Sequence, residues 1–491
     1  EEAKKARGSG ALVNREVVRL YTPGTLTEDT LLEAGRPTYV AAVAGDEGEG
    51  PAWRGVLAWL ELSTGEVGYK YVAASTLGAA VAALAPGEVV VPPELEPNLL
   101  TLMTRKQVSV QESLFQRVRT DEAIQRAYGV AHVEGLGLEE ALPRTALGAL
   151  LGYAELTQMG KLPALKAPRL VAARSVLHMD GATRRNLELT ESLQGNRKDC
   201  LLADIDRCVT AAGARLLSRW VAEPSAETSG INARLDAVAW LVAQEEVRAQ
   251  VRLLLKATGD VARCVSRLLL GRGGPRDVGV LRQTGLQLPA LAKALDGTLP
   301  ALLATQRQGL LGLADLTALL ARALADDPLP ALLREGGFVR DRYDAEVDAQ
   351  RHLVRDGHAI LEALEAQESA TCGMVLKARY NQVWGYYLEV SKAQMKEVPG
   401  YFIHRQTTTT AHRYTTPALQ ELERKLGNAG AAVQAREERI FTELGEAVRA
   451  ASYALLAASE SLATLDVLAG LAELANRNRW VRPVVDDSTA F

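Results

Sequence analysis

The chain has 491 residues, too many for one hydrophobic core, and its length predicts about three domains. Hydrophobic residues make up 47% and charged residues 24% of the sequence, the ordinary balance of a globular protein. The formal charge of −4 argues against a protein that coats nucleic acid with its whole surface, but it is compatible with a local basic site.

The N-terminal third alternates between strand and helix patterns. Residues 1–36 are typical of a connecting arm with a turn at Thr22–Thr25. Alternating or continuous apolar runs then predict strands at 38–43, 56–62, 66–72 and 88–91, and a helix at 76–85. The short link Ser63–Gly65 predicts a hairpin between the second and third strands. This mixture continues to about residue 165 and indicates an α/β domain.

The sequence also bears on the compartment. The four cysteines form no CxxC pair and have no histidine at zinc-ligand spacing, so we expect reduced, small apolar residues of a cytosolic protein. No apolar run approaches the roughly 18 residues of a membrane span. The charged N-terminus lacks the apolar stretch of a signal peptide. We expect a protein without a membrane anchor, whose chain begins within a larger protein.

Helical spacing dominates from about residue 175. The segment 343–364 has one clean heptad row, Val347, Val354 and Leu361, and a companion row that contains Gln350 and Gly357. It predicts either an imperfect coiled-coil seam or an ordinary amphipathic helix. A second helical pattern covers 418–475, which as one continuous helix would span roughly 85 Å. Gly427 and Gly430 are its candidate bending points.

Between these helical patterns, residues 371–416 are rich in β-branched and aromatic residues. They contain six Lys or Arg against two acidic residues, a net charge of +4, so the rest of the chain carries −8. In the first predicted strand, alternation places Lys377, Arg379 and Asn381 on one face, and Leu376, Ala378 and Tyr380 in a small core. We expect 385–392 to pair with this strand through the turn region 382–385, and 401–407 to add an edge strand.

Two helices around one β insert predict an antiparallel stem with a basic sheet at its far end. Such a tip suits a polyanion, because Lys, Arg, Asn, Gln and Thr are the donors that hold phosphate oxygens. No recognition helix or zinc module is evident, so we expect backbone gripping that is salt dependent and indifferent to base sequence. The alternative is a solvated sheet edge protected by charge against aggregation. The residue pattern alone does not separate the two, and the long stem favours binding.

Eight short strings of the sequence, spread over nearly the whole chain, carry a further signal. They are VVRLYTPGT at 17–25, MDGATRRNLEL at 179–189, GARLLSRW at 213–220 with Pro224, YDAEVD at 343–348, YNQVWGYY at 380–387, RQT at 405–407, AHRY at 411–414 and LDVLAGLA at 465–472. Each string is weak by itself, but the ordered set is specific. In these strings and in their order, the chain resembles the MutS family of bacterial DNA mismatch repair proteins.

The resemblance implies a multidomain fold: an α/β RNase H-like connector, then an all-α core with long lever helices and a small β-rich clamp between them. It places the linker from a mismatch-reading domain at 1–36, the connector at 37–169, the core and levers at 170–356 and 417–480, the clamp at 357–416, and the start of a linker to an ATPase domain at 481–491. The predicted stem and tip coincide with levers and clamp.

Two of the family's parts have no counterpart in this sequence. The Phe-x-Glu wedge would precede residue 1, and the phosphate-cradling GxxxxGK[ST] loop would follow residue 491; Gly160-Lys161 lacks the required spacing. We therefore expect a truncated chain that neither hydrolyses ATP nor wedges a mismatch, with no cofactor or metal of its own and no catalytic residue. For the full-length protein the resemblance implies ATP and Mg in the ATPase domain, double-stranded mismatched DNA as ligand, a MutL-type partner at the connector, a homodimer, and a cytoplasmic, nucleoid-associated location.

The clamp departs from the family's pattern. The family shows Arg-Gln-Thr-Leu-Lys-Asn-Ala-Glu-Arg, whereas here Thr408, Thr409 and Thr410 replace Leu, Lys and Asn, and His412 replaces Glu. The lost lysine removes one phosphate-neutralising charge, and a protonated His412 would restore part of it. The predicted DNA-binding residues are Lys377, Arg379, Asn381, Lys392, Arg405, Gln406, Thr407, Thr409, Thr410 and Arg413.

Two other function classes remain as alternatives. One is a metal-dependent nuclease that uses the α/β domain, since two-metal cleavage needs converging carboxylates. Its candidates are Glu61 on a strand without an obvious partner, and Asp46, Glu47 and Glu49, which we expect in an exposed loop. The other is a helical scaffold without DNA contact.

Overall fold

A computed structural model describes residues 20–28, 30–46, 48, 50–95, 107–109, 112–381, 385–395 and 397–488. The chain divides into two compact units. The first comprises residues up to 273, 277–318 and 447 onward, and the second comprises 274–276 and 319–446. The turn region predicted at 382–385 lies outside the described residues except for Gly385, and so do most of the N-terminal arm, Glu47 and Glu49.

The first unit begins with a six-stranded sheet. Its strands are β1 (Val40–Gly45), β2 (Arg54–Glu61), β3 (Glu66–Ala73), β4 (Glu88–Val91), β5 (Gln107–Ser109) and β6 (Arg169–Leu170), in the order β5-β4-β1-β2-β3-β6. β1, β2 and β3 are antiparallel neighbours, β4 and β5 continue in parallel from β1, and β6 is parallel to β3. The four strands predicted here and the hairpin at Ser63–Gly65 are confirmed, with β1 starting two residues late.

Both faces of this sheet are covered. Alternate residues of β1 enter opposite cores, Val40 and Ala42 on one side and Ala41 and Val43 on the other. One face packs against α1 (Ala74–Leu84), and the other against α2 (Arg117–Tyr128) and α3 (Ala141–Thr157). Because β1 and β2 are buried on both faces, their sequences are nearly continuous apolar runs.

The remainder of the first unit is helical. Its helices are α4 (Gly181–Asn186), α5 (Leu201–Ile205), α6 (Ala211–Ala222), α7 (Thr228–Ala243), α8 (Glu245–Lys256), α9 (Val261–Leu269), most of α10 (Pro275–Ala294), α11 (Ala301–Gly309), part of α12 (Ala314–Ala323) and α15 (Ser452–Asn478). α15 packs against α6, α7, α8, α9 and α11. Among the described helices it is the one long and apolar enough to cross a membrane, but most of its apolar stretch is buried inside the unit. That burial indicates a core helix.

A carboxylate on α15 organises the start of α6. Asp466 is fully buried and accepts hydrogen bonds from the backbone N–H of Val209 (2.9 Å) and Thr210 (2.7 Å) and from the Thr210 hydroxyl (2.6 Å). A Cβ atom on Gly213 would lie 2.3 Å from Asp466 Oδ2. The residues Gly213 and Asp466, which lie in two of the recognised strings, are therefore in contact through one capping interaction at a helix N-terminus.

The second unit contains two antiparallel helices, α13 (Ala345–Cys372) and α14 (Pro417–Ala450). The last four residues of α14 belong to the first unit. Gly357 of α13 lies against Leu426 of α14, so close that a Cβ on Gly357 would be 2.7 Å from the leucine Cδ2. Gly357, which interrupts the apolar residues of the predicted companion row, is thus a point where the two helices approach closely. Val354, predicted in the clean heptad row, is 59% exposed, so that part of the predicted seam is wrong.

Ion pairs hold the ends of these helices. Asp344 caps α13 by accepting from Val347 N–H (3.0 Å) and pairs with Arg436 of α14 (2.7 Å); the hydrogen bond from Arg436 lowers the pKa of Asp344. Glu437 is 1% exposed and accepts from Arg351 Nη2 (2.6 Å) and from Gly337 N–H (2.8 Å). The antiparallel pairing predicted from the sequence is confirmed within this unit.

The helical pattern predicted over 418–475 is confirmed, but it forms two helices and not one continuous helix. α14 ends at Ala450 and α15 begins at Ser452, while Gly427 and Gly430 lie inside α14. No glycine or proline marks the break, so local sequence gives no signal for it. The start of α14 is well marked: Thr416 is buried, its hydroxyl accepts from Leu419 N–H (3.2 Å), and Pro417 occupies the first helical position.

Candidate nucleic-acid interface

The strands between α13 and α14 form a four-stranded antiparallel sheet. They are β7 (Lys377–Asn381), β8 (Gly385–Ser391), β9 (Ile403–Thr407) and β10 (Ala411–Thr415), in the order β7-β8-β10-β9. The pairing of the first two strands and the edge position of the third are as predicted, with shorter bounds for the third. Strand β10, which inserts between β8 and β9, was not predicted from the sequence. Its five residues follow four threonines, and the sequence signal for a strand is weak there.

One face of this sheet is apolar and packs against the two helices. Leu376, Leu388, Val390 and Tyr414 are buried in this core. The helices contribute Leu361, Leu419 and Leu422. Tyr380 was predicted in the same core, but it is 63% exposed and contacts the Tyr386 ring edge-on at 5.1 Å. Tyr380 lies near the end of β7, beyond the cover that the helices provide.

A row of polar side chains crosses the opposite face. The strand register places Lys377 opposite Glu389, Glu389 opposite Arg413, and Arg413 opposite Gln406. Directly opposite residues of an antiparallel sheet share a face. Three predicted contact residues, Lys377, Gln406 and Arg413, therefore share a face with Glu389, and Arg379, two residues along β7 from Lys377, lies on the same face. We call this surface the basic face (Lys377, Arg379, Glu389, Gln406 and Arg413).

Glu389 occupies the centre of the basic face and partly neutralises it. Its carboxylate accepts from Arg413 Nε (3.1 Å) and lies 3.4 Å from Arg379 Nε. Arg413 also donates to Gln406 Oε1 (2.9 Å) and stacks over the Tyr387 ring at 4.7 Å. The two arginines are therefore held in place by a glutamate and an aromatic ring, and a phosphate would compete with Glu389 for them.

Three cations in or beside the sheet, Lys377, Lys392 and Arg405, are exposed and have no carboxylate partner among the described residues; Lys396 lies outside them. The nearby helix carboxylates have other partners. Glu365 accepts from Ala378 N–H (2.7 Å), Glu423 from Tyr386 N–H (3.2 Å) and Glu368 from the Tyr401 hydroxyl (2.8 Å). The helix glutamates thus anchor the sheet and leave its cations exposed to solvent.

The threonine run forms the β9–β10 hairpin. Thr408 closes the turn by donating to Ala411 O (3.0 Å) and accepting from Ala411 N–H (3.1 Å). Thr409 and Thr410 are exposed, and Thr410 O accepts from Lys392 N–H (3.0 Å), which brings Lys392 beside the hairpin. The predicted contact residues thus fall into two groups, with Asn381, at the end of β7, and Arg405, in β9, apart from both. Lys377, Arg379, Gln406 and Arg413 lie on the basic face, and Lys392, Thr407, Thr409 and Thr410 lie at or beside the hairpin.

Two histidines share one hydroxyl at the hairpin. Thr407 Oγ1 lies 2.9 Å from His404 Nε2 and 3.0 Å from His412 Nδ1, and the two rings are 6.2 Å apart. Sequence reasoning named Thr407 and His412 but missed His404. The only available signal was its position three residues before Thr407, which does not reveal that a β-hairpin brings the two rings together.

Two of the carboxylates considered for a nuclease, Glu61 and Asp46, have hydrogen-bond partners in the structure; Glu47 and Glu49 lie outside the described residues. Glu61 is buried and accepts from the hydroxyls of Ser63 (2.8 Å) and Thr64 (2.7 Å), contrary to the expectation that it lacks a partner; burial raises its pKa, opposed by Arg215. Asp46 accepts from the backbone N–H of Gly48 (3.1 Å) and Arg54 (3.0 Å). Among the described residues no group of three His, Cys, Asp or Glu side chains is placed to hold a metal ion, so the nuclease alternative has no support.

Comparison with known proteins agrees with the recognised strings. Residues 38–166 match the family model of MutS domain II, and residues 182–472 match that of MutS domain III. The whole chain is 42% identical to DNA mismatch repair protein MutS of Dinoroseobacter shibae, covering 56% of that protein. It is 40% identical to the proteins of the same name from Rhodopseudomonas palustris and Caulobacter sp., covering 54% and 56% of them.

The chain thus spans about half the length of the curated relatives it matches. The match to MutS domain III by itself covers more than half of the chain, and the domain II match accounts for most of its N-terminal third. The agreement of the two domain models, the ordered strings and the whole-length identity shows that this chain belongs to the MutS family.

Proposed function

We propose that the chain acts mechanically in DNA mismatch repair, as the part of a mismatch-recognition protein that grips duplex DNA and transmits the position of the grip. The observation that carries the proposal is the basic face together with the exposed cations Lys392 and Arg405 nearby; like Lys377, these two have no carboxylate partner in the described part of the chain. Phosphate contacts of this kind position a protein on DNA without reading bases.

The proposed domains follow the sequence boundaries. We assign 37–169 to an RNase H-like connector, supported by the antiparallel β1-β2-β3 meander that continues into parallel β4 and β5 with helices on both faces. We assign 170–356 and 417–480 to core and levers, and 357–416 to the clamp. The residues 1–36 and 481–491 would be linkers to a mismatch-reading domain and an ATPase domain of a longer protein.

The remaining roles concern the full-length protein. There, α13 and α14 would act as levers that carry the clamp position to an ATPase domain, where ATP and Mg would bind. The connector would present a surface to a MutL-type partner, and the protein would act as a homodimer on mismatched DNA in the cytoplasm, associated with the nucleoid. For the chain itself we propose no catalytic activity.

Salt dependence tests the clamp directly. Lys377→Ala with Arg379→Ala should weaken duplex binding about tenfold and reduce the slope of log K against log salt by about one, since Lys377 is unpaired and Arg379 is already neutralised. Binding would be measured by fluorescence anisotropy on a duplex at several salt concentrations. Lys425→Ala, which removes an exposed lysine of α14 that pairs with Glu421, is the matched control and should leave the slope unchanged.

Glu389→Gln provides the opposite test. It removes the carboxylate that holds Arg379 and Arg413, so duplex affinity should increase. The clamp assignment would be wrong if the slope of log K against log salt were unchanged in two variants. One is Lys377→Ala with Arg379→Ala, and the other is a chain whose residues 371–414 are replaced by a short loop.

A further inference from the structure

The first unit contains a cavity of about 790 Å³ with an unusual number of arginines in its wall. The wall includes α1, α4, α6 and the loop 190–197, and a volume of this size is typical of small-molecule sites. The arginines are Arg36, Arg169, Arg184, Arg185, Arg197 and Arg219.

Three of these cations are neutralised within the unit. Arg197 pairs with Glu33 (2.5 Å) and Glu191 (3.3 Å), and Arg36 lies 3.8 Å from the same Glu191. Arg219 pairs with Glu66. Two acidic residues of the wall, Glu33 and Glu191, are thus paired with arginines of the wall.

The other three, Arg169, Arg184 and Arg185, have no carboxylate partner among the described residues. Of the two remaining acidic residues of the wall, Glu223 pairs with Lys70 (2.5 Å) and also attracts Arg184, and Asp206 accepts from Cys208 N–H (2.8 Å). The wall therefore has six arginines against four carboxylates, an excess of two positive charges.

Arg184 is the most informative of the three. Its Nη1 donates to the carbonyl of Ala222, but its Nε is buried without an acceptor. Burial lowers the pKa of the Arg184 guanidinium. A buried donor without an acceptor is destabilising, and an anion in the cavity would supply the missing acceptor.

We propose that this cavity binds a small phosphate-bearing ligand through Arg184, Arg185 and Arg169, at a site separate from the DNA-gripping sheet. Guanidinium groups match phosphate oxygens in bidentate geometry. Tyr39 and Trp59, which also line the cavity, give an apolar surface for the organic part of such a ligand.

Isothermal titration with pyrophosphate, with sulfate at equal ionic strength as comparison, tests the site. Pyrophosphate should bind saturably, and Arg184→Met with Arg185→Ala should weaken binding about tenfold or more. Arg174→Ala, an exposed arginine outside the cavity wall, is the matched control and should not change it. Saturable binding that survives the double substitution, or its absence in the unaltered chain, overturns the proposal.

Two further measurements separate ligand binding from folding. Arg184→Met removes a half-buried guanidinium whose Nε lacks an acceptor, so without pyrophosphate the variant should unfold at the same or a higher temperature, whereas pyrophosphate should no longer raise that temperature. Arg169→Ala with Arg185→Ala alters two exposed residues and should lose binding with an unchanged circular dichroism spectrum. Retained binding in this folded variant would equally refute the site.

Discussion

Glu437→Ala is expected to destabilise the second unit by about 3–5 kcal/mol, because it leaves a largely buried guanidinium without its main partner. Arg351 would keep only Asp341, a residue that is 86% exposed, and Gly337 N–H would lose its acceptor. Hydrogen exchange of the α13 and α14 amides should accelerate about 100-fold or more, since each 1.4 kcal/mol corresponds to a factor of ten.

Two variants serve as comparisons for that result. Glu438→Ala changes the adjacent, exposed glutamate of the same helix and should have little effect. Glu437→Gln keeps an acceptor for Gly337 N–H but loses the charge opposite Arg351, so its effect should be intermediate. If the α13 and α14 amides exchange at equal rates in the Glu437→Ala and Glu438→Ala variants, the Arg351–Glu437 pair does not hold the two helices together.

Asp466→Ala is expected to cost the first unit about 2–4 kcal/mol. The substitution leaves the N–H groups of Val209 and Thr210 and the Thr210 hydroxyl without their acceptor at the start of α6. Urea unfolding should show the loss as a lower midpoint with an unchanged slope. The effect should be strongest in the exchange of α6 amides.

Gly213→Ala tests the same joint from the other side. The added Cβ would lie 2.3 Å from Asp466 Oδ2, so the carboxylate must move and the cap weakens. Asp204→Ala, on an exposed position of α5, is the control and should change stability little. Equal stability of Asp466→Ala and Asp204→Ala would show that the capping contacts are energetically unimportant.

Local sequence patterns correctly predicted the elements whose structure depends on residues close together in the sequence. The continuous apolar runs of β1 and β2 follow from burial on both faces, and the short Ser63–Gly65 link sets the hairpin. The alternation of Lys377 and Arg379 correctly gave the exposed face of β7. In these places each residue type agrees with the structure of its own segment.

The misses depend on partners that are distant in sequence. β10 is recognisable only when β8 and β9 are present on either side, and the role of Glu389 follows from a register across three strands. Asp466 caps a helix that begins 255 residues earlier, at Ala211. Val354 is 59% exposed although a heptad count places it in the seam, because the count does not contain the position of the partner helix.

One junction in the second unit has a mechanical consequence. β10 ends at Thr415 and α14 starts at Pro417, with only the buried Thr416 between them. There is no slack in such a connection, because the intervening residue is itself fixed to the first helical turn. A load that pulls on the β9–β10 hairpin is therefore passed to the first turn of α14 through covalent bonds and is not absorbed by a compliant loop.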